Sequence, residues 1–185
     1  MTDTQRSWAA ILALLADNTA GQISPQDLRD ALLTLRSGHG HQYVSTPGAI
    51  AFANTVDFVE ANAAAVWALA SGSPSFDLFS LGGGNGRLTY IGAAPVMAHV
   101  TATFTIDSAG NNQRVLFRIG KNGTTFPSSE SLIDTGTGGG TEAGSSHYIG
   151  TVSPGEYFSL FIRNSSSTNG FTLDRGSVQV LTRAL

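Results

Sequence analysis

A chain of 185 residues, 41% of them hydrophobic, holds enough apolar material for one ordinary domain and a small appendage. Net charge is −3 and Lys121 is the single lysine among ten basic residues, which argues against a nucleic-acid partner, because phosphate binding needs clustered basic charge. There are no cysteines, so disulfides, thiolate chemistry and Cys-ligated zinc are excluded.

Only 12% of the residues are charged, against a usual share of roughly 25%. Such a sparsely charged chain hides surface against copies of itself, or else has a Ser/Thr/Asn-rich exterior. The N-terminal apolar run is short and broken by Asp17. With no basic leader, it does not read as a signal peptide. No apolar run reaches the ~20 residues of a membrane helix, so membrane insertion is not expected.

Two helices are expected in the head. Trp8, Ile11, Leu12 and Leu15 fall at i, i+3, i+4 and i+7, one face of a helix, and Asp17 to Gly21 ends it with turn formers. Ser24 is a suitable N-cap, Pro25 fits the first helical position, and Asp27 complements the helix dipole. Leu28, Ala31, Leu32 and Leu35 repeat the apolar spacing. A hairpin of about 30 residues cannot stand alone, so its stripes must meet the chain's own body, sister copies or another protein. The head is assigned to residues 1–36.

Residues 37–48 read as a linker, because Ser37-Gly38-His39-Gly40-His41 has two glycines and no periodicity. Its two histidines lack a nearby third ligand and read as a polar joint, and no metal or other cofactor is expected.

From residue 49 to 185 the chain reads as one β domain. Gly, Pro, Asn and Ser punctuate it at short intervals, as in an antiparallel sandwich. The stretch 61–70 is ambiguous between helix and strand, and its neighbours favour strand. The clearest strand is Val96–Asp107, with Val96, Ala98, Val100, Ala102, Phe104 and Ile106 on a core face and His99, Thr101 and Thr103 opposite. Residues 114–120 return after a polar turn, and Asn122-Gly123 marks a tight one. The polar, glycine-rich stretch 128–146 reads as a long exposed loop. Strands then resume at 147–152, 157–163, 171–174 and 177–183, completing a two-sheet jelly roll.

No catalytic constellation emerges, and the chain does not read as an enzyme. Leu81 to Arg87 is glycine-rich, but a strand follows it where a phosphate loop needs a helix. Ser146 beside His147 lacks a nucleophile elbow and a third group. Asp57 and Glu60 read as solvated acids, and Asp134 and Glu142, which bracket the glycine-rich loop, are short of the several oxygen ligands that calcium needs.

NGRLTYIG (85–92), MAHVTATFTIDSAGNNQRVLFRIGKNG (97–123) and TVSPGEYFSLFIRNSSSTNGFTLDRGSVQVLTR (151–183), in that order, resemble the C1q/TNF-like jelly-roll domains that end bacteriophage fibre and spike proteins. LLADNTAGQISPQDLRDAL (14–32) resembles the N-terminal attachment segment of phage virion proteins. The resemblance implies a homotrimer, virion localisation after assembly in the host bacterial cytoplasm, and other virion proteins (portal, tail, baseplate or capsid) as partners. It makes the helices, through Trp8, Ile11, Leu12, Leu15, Leu28, Leu32 and Leu35, the attachment end of a short tail or head fibre. His99, Thr101 and Thr103 become candidates for the trimer axis. Asn111, Asn112, Asn122, Thr137, Asn164 and Asn169 become candidates for contact with a host-surface glycan. A capsid or tail decoration protein with the same fold and no receptor is the alternative.

Overall fold

A computed structural model describes Ala10, Ala13 and residues 24–35, 38–61, 66–69, 78–81, 86–108, 110–137 and 139–185. Trp8, Ile11, Leu12 and Leu15, and with them all of the first expected helix but Ala10 and Ala13, lie outside the described residues, as does the side chain of Leu35.

Helix α1 spans Pro25–Leu35. Its start is a reciprocal cap: the Ser24 hydroxyl accepts from the Asp27 N–H at 3.1 Å, and the Asp27 carboxylate accepts from the Ser24 N–H at 3.0 Å. The arrangement satisfies two backbone donors that a helix start leaves free. Ala31 is buried, whereas Leu28 and Leu32 are 54% and 60% exposed.

The described residues after α1 form thirteen strands in two antiparallel sheets. The first sheet contains β1 (His39–Thr46), β2 (Gly48–Ile50), β4 (Val66–Leu69), β7 (Val96–Ser108), β11 (Gly140–Val152) and β13 (Phe171–Ala184), in the order β11-β7-β13-β1-β4, with β2 beside β13. The second contains β3 (Val59–Glu60), β5 (Phe79–Leu81), β6 (Leu88–Tyr90), β8 (Arg114–Lys121), β9 (Thr124–Thr125), β10 (Ser131–Asp134) and β12 (Tyr157–Asn164), in the order β10-β8-β12-β6-β5. The inward faces share one core. Ala98, Val100, Ala102, Phe104 and Ile106 of β7 meet Val115, Phe117 and Ile119 of β8 and Phe158, Leu160 and Ile162 of β12 within it. Phe104 stacks on Phe117 with centroids 3.6 Å apart. The expected sandwich, and the division of β7 into a core face and a polar face, are present.

Three expectations need correction. Residues 37–48 are not a linker, because β1 lies inside the first sheet between β13 and β4. Its glycines serve close approach: a Cβ on Gly40 would stand 2.7 Å from Phe79 Cβ, and one on Gly38 2.3 Å from Leu78 Cδ1. Nor is 128–146 one long loop. It holds the end of a 3-10 turn (Pro127–Ser129), β10 and the first half of β11. Its polarity reflects position, since β11 is an edge strand bonded only to β7 within its sheet. Finally, 171–174 and 177–183 are one strand, β13, carrying a bulge between Leu173 and Arg175.

Candidate functional site

Two surfaces collect the sequence-predicted residues. One is the outer face of the first sheet. Strand register places side chains there in rows, because cross-strand partners share a face. His99 of β7 has Ile149 of β11 on one side and Leu181 of β13 on the other, and Leu181 is next to His39 of β1. The following row contains His147, Thr101, Gln179 and His41. The third contains Ser145, Thr103, Ser177 and Tyr43. These three rows contain no Asp, Glu, Lys or Arg. Ile149 and Leu181 are 62% and 60% exposed there.

His99, Thr101 and Thr103 therefore do share a face, in the middle of a sheet. Sequence reasoning missed their neighbours: all four histidines of the chain, His39, His41, His99 and His147, are on it. The spacing of two between His39 and His41 carried the signal of a shared face, but only the strand register joins them to the others. The His41 ring contacts the Ser177 hydroxyl at 3.0 Å, and burial, then the charge of His39, lowers its pKa.

The second sheet's outer side is different. Arg87 donates to both carboxylate oxygens of Glu60, at 3.0 and 2.7 Å, and its guanidinium is 4.6 Å from the centroid of the Tyr157 ring. Arg118 donates to Glu130 at 2.6 Å and Arg114 to Asp134 at 3.1 Å. Arg118 and Arg163 also cover the Phe58 ring. Fixed charge thus gathers on the outer side of the second sheet and is missing from the three middle rows of the first.

The second candidate surface is one pole of the sandwich. Residues 110–113, 135–137 and 164–170 meet there, tied by a polar network. Gln113 N–H donates to Thr135 Oγ1 and Thr135 N–H to Gln113 O, both at 2.8 Å. Asn112 N–H donates to Gly136 O, and Arg114 N–H to Ser166 Oγ. At its centre, Asn164 donates to Gln113 Oε1 at 2.9 Å and to Asn169 O at 3.0 Å, while its Oδ1 accepts from the Ser166 and Ser167 N–H groups.

Asn111, Asn112, Thr137 and Asn169 are exposed at this pole. Asn164 does not belong with them as a contact residue, because it is completely buried and organises the loops from beneath. Asn122 does not either. It is in a left-handed turn (φ 51°) at the opposite pole, where its Oδ1 accepts from Tyr157 N–H. The chain from α1 also enters at that opposite pole: Gly38 N–H donates to Thr182 Oγ1, and Thr182 N–H to Gly38 O. The 13 residues of β7 separate the two poles by about 40 Å at ~3.3 Å per residue.

No family model matches the chain, and no curated protein matches it in sequence. Among solved structures, the Eiger TNF of S. frugiperda superposes with a TM-score of 0.52 at 11% identity, over 80% of this chain and 93% of that one. The chain folds as a TNF-like jelly roll. At that identity the likeness carries the architecture alone. Among the described residues of this jelly roll, no group of three or more His, Asp or Glu side chains is placed to hold a metal ion.

Proposed function

We propose that this chain is a bacteriophage virion protein: a trimeric short fibre or spike, on tail or head, with no enzymatic activity of its own. Its N-terminal helices attach it to other virion proteins, and its jelly-roll head meets a host-surface glycan. The observation that carries this reading is polar separation. The helical entry, with Leu28 and Leu32 uncovered, is at one end of the sandwich. The exposed amides of Asn111, Asn112 and Asn169 and the Thr137 hydroxyl are at the other. Neutral amide and hydroxyl groups on a loop platform suit recognition of sugar hydroxyls. Sister copies fit the charge-free rows of the first sheet, because a neutral face meets a copy of itself without like-charge repulsion.

Deleting residues 1–36 tests the reading. The truncated chain is expected to remain a folded β trimer, to bind host cells and to be missing from particles. Normal incorporation of the truncated chain refutes the attachment role. Failure of the isolated protein to bind host cells refutes the receptor role and favours a decoration protein.

A further inference from the structure

All four histidines share one face of one sheet, and neither the two rows that carry them nor the next row holds fixed charge. Histidine is the side chain whose ordinary pKa, about 6.5, lets mild acid change its charge. His99 and His147 are diagonal neighbours on adjacent strands, which sets them roughly 7–8 Å apart. That is within the ~8 Å screening length of physiological salt. His39 and His41 are two residues apart on β1, about 7 Å along a strand.

Among the described residues of this face, no acid stands within a screening length of His41, His99 or His147. Arg183 is one row beyond Leu181 on β13 and adds to the positive charge. Asp107 is on the same face of β7, six residues from the row of His147, roughly 20 Å away and beyond the screening length. Asp174 and Arg175, at the bulge of β13, face each other at 3.7 Å. Helix α1, which touches β13, carries Asp27, Arg29 and Asp30. Asp27 is engaged by the Ser24 cap and Asp30 is buried. His39 is left out of the device, whose core is His99, His147 and His41.

We propose that this face is an acid-triggered release surface between copies of the chain: protonating its histidines drives sister copies apart while each jelly roll stays folded. The inference rests on the trimer reading above. Covering the face removes water from the imidazoles and brings more of them together, up to nine in a trimer at three per chain from His41, His99 and His147. Both effects favour the neutral ring, so the assembled state binds fewer protons than separated copies do. The histidine pKa is thus lower in the assembly than in the free chain. Assembly is at full strength above about 6.5 and weakens as pH falls through the lowered value. The lowered pKa of His41 within one chain has the same physical origin.

The full chain is measured by light scattering over a dilution series at pH 7.5 and pH 5.0 in 50 mM NaCl, with near-ultraviolet circular dichroism as the check on fold. The half-assembly concentration is expected to rise about 100-fold on acidification with the dichroism unchanged. His99→Gln/His147→Gln is expected to cut the rise below about tenfold. In 0.5 M NaCl at pH 5.0 the wild-type chain is expected to reassemble, because salt screens the repulsion. A monomer at pH 7.5 removes the trimer reading itself. A trimer with the same half-assembly concentration at both pH values overturns the release device and leaves the trimer reading intact. Loss of dichroism at pH 5.0 also overturns the device, and so does a double variant that dissociates like wild type. If the double variant does not fold, the salt series decides: no reassembly in 0.5 M NaCl refutes the proposal.

Discussion

Leu181 on β13 and His99 on β7 are directly paired across the ladder, and both side chains leave the sheet away from the core. An exposed leucine beside a histidine, with Ile149 on the histidine's other flank, is a poor surface for water and a good one for a sister copy. We expect Leu181→Glu and Ile149→Glu each to give monomers at pH 7.5. A single jelly roll should lose no more than ~0.5 kcal/mol, since neither side chain packs into its core. Light scattering reads the mass, and far-ultraviolet dichroism reads the fold. A trimer that survives both substitutions would put the contact between copies on another surface.

The same face shows what the sequence makes legible. Strand β7 alternates buried and exposed over its whole length, so period-2 hydrophobicity revealed both of its sides. Strand β1 hid behind Gly38 and Gly40. Their missing side chains are the inward-facing positions, where Phe79 and Leu78 leave no room for a Cβ. Strand β11 hid for another reason: an edge strand buries few of its side chains, so polarity there mimics a loop. Pairing between residues far apart in sequence, such as His39 with Leu181, is written in no local pattern. The grouping of the histidines was therefore out of reach.

Asn164 and Asn169 separate support from contact at the loop pole. Asn164 is buried and bonded to Gln113, Ser166, Ser167 and Asn169, whereas the Asn169 side chain is exposed. Asn164→Ala strands several buried partners and is expected to cost about 2 to 3 kcal/mol in urea denaturation. Asn169→Ala should cost under ~0.5 kcal/mol and lower binding to host cells. Equal stability losses from the two would contradict the assigned division of labour.

Glu156 gathers the opposite pole. Its carboxylate accepts from Lys121 Nζ at 2.9 Å, from Ser153 N–H at 2.8 Å and from Asn122 Nδ2 at 3.1 Å. Burial alone would raise its pKa, but these bonds and the Lys121 charge outweigh burial and hold it below the ordinary value. A depressed carboxylate stabilises the fold fully above its unfolded pKa of about 4.3, and that stability is lost as pH falls through the folded value. Glu156→Gln should therefore cost ~1 kcal/mol at pH 7. It should also flatten the fall in urea midpoint between pH 5 and pH 3. An unaltered slope would show that other carboxylates govern acid sensitivity.

Gly120 lies under Phe161 on the outer side of the second sheet. A Cβ there would stand 2.4 Å from Phe161 Cε2 and 2.9 Å from the Thr124 carbonyl oxygen. The ring is itself buried, and the backbone oxygen belongs to the tight turn at Asn122-Gly123. Gly120→Ala is expected to destabilise the jelly roll by about 2 kcal/mol through overpacking, measured by urea denaturation. A neutral result would mean that the turn relaxes freely.

Leu28 and Leu32, four residues apart on α1, form an exposed apolar step beside the buried Ala31. Both side chains are more than half exposed, so their replacement bears on docking rather than on the jelly-roll core. Leu28→Asp with Leu32→Asp keeps the Ser24–Asp27 cap and places charge where an apolar partner would sit. Helix propensity changes by well under ~1 kcal/mol per position. The double variant is expected to purify as the same oligomer with the same thermal midpoint, and to fall at least about tenfold in particles, the equivalent of ~1.4 kcal/mol of docking energy. Quantifying the chain in purified particles against a shared capsid protein reads the effect. Wild-type incorporation would move the attachment contact off this helix face, and dissociation of the purified variant would make the step a contact between copies.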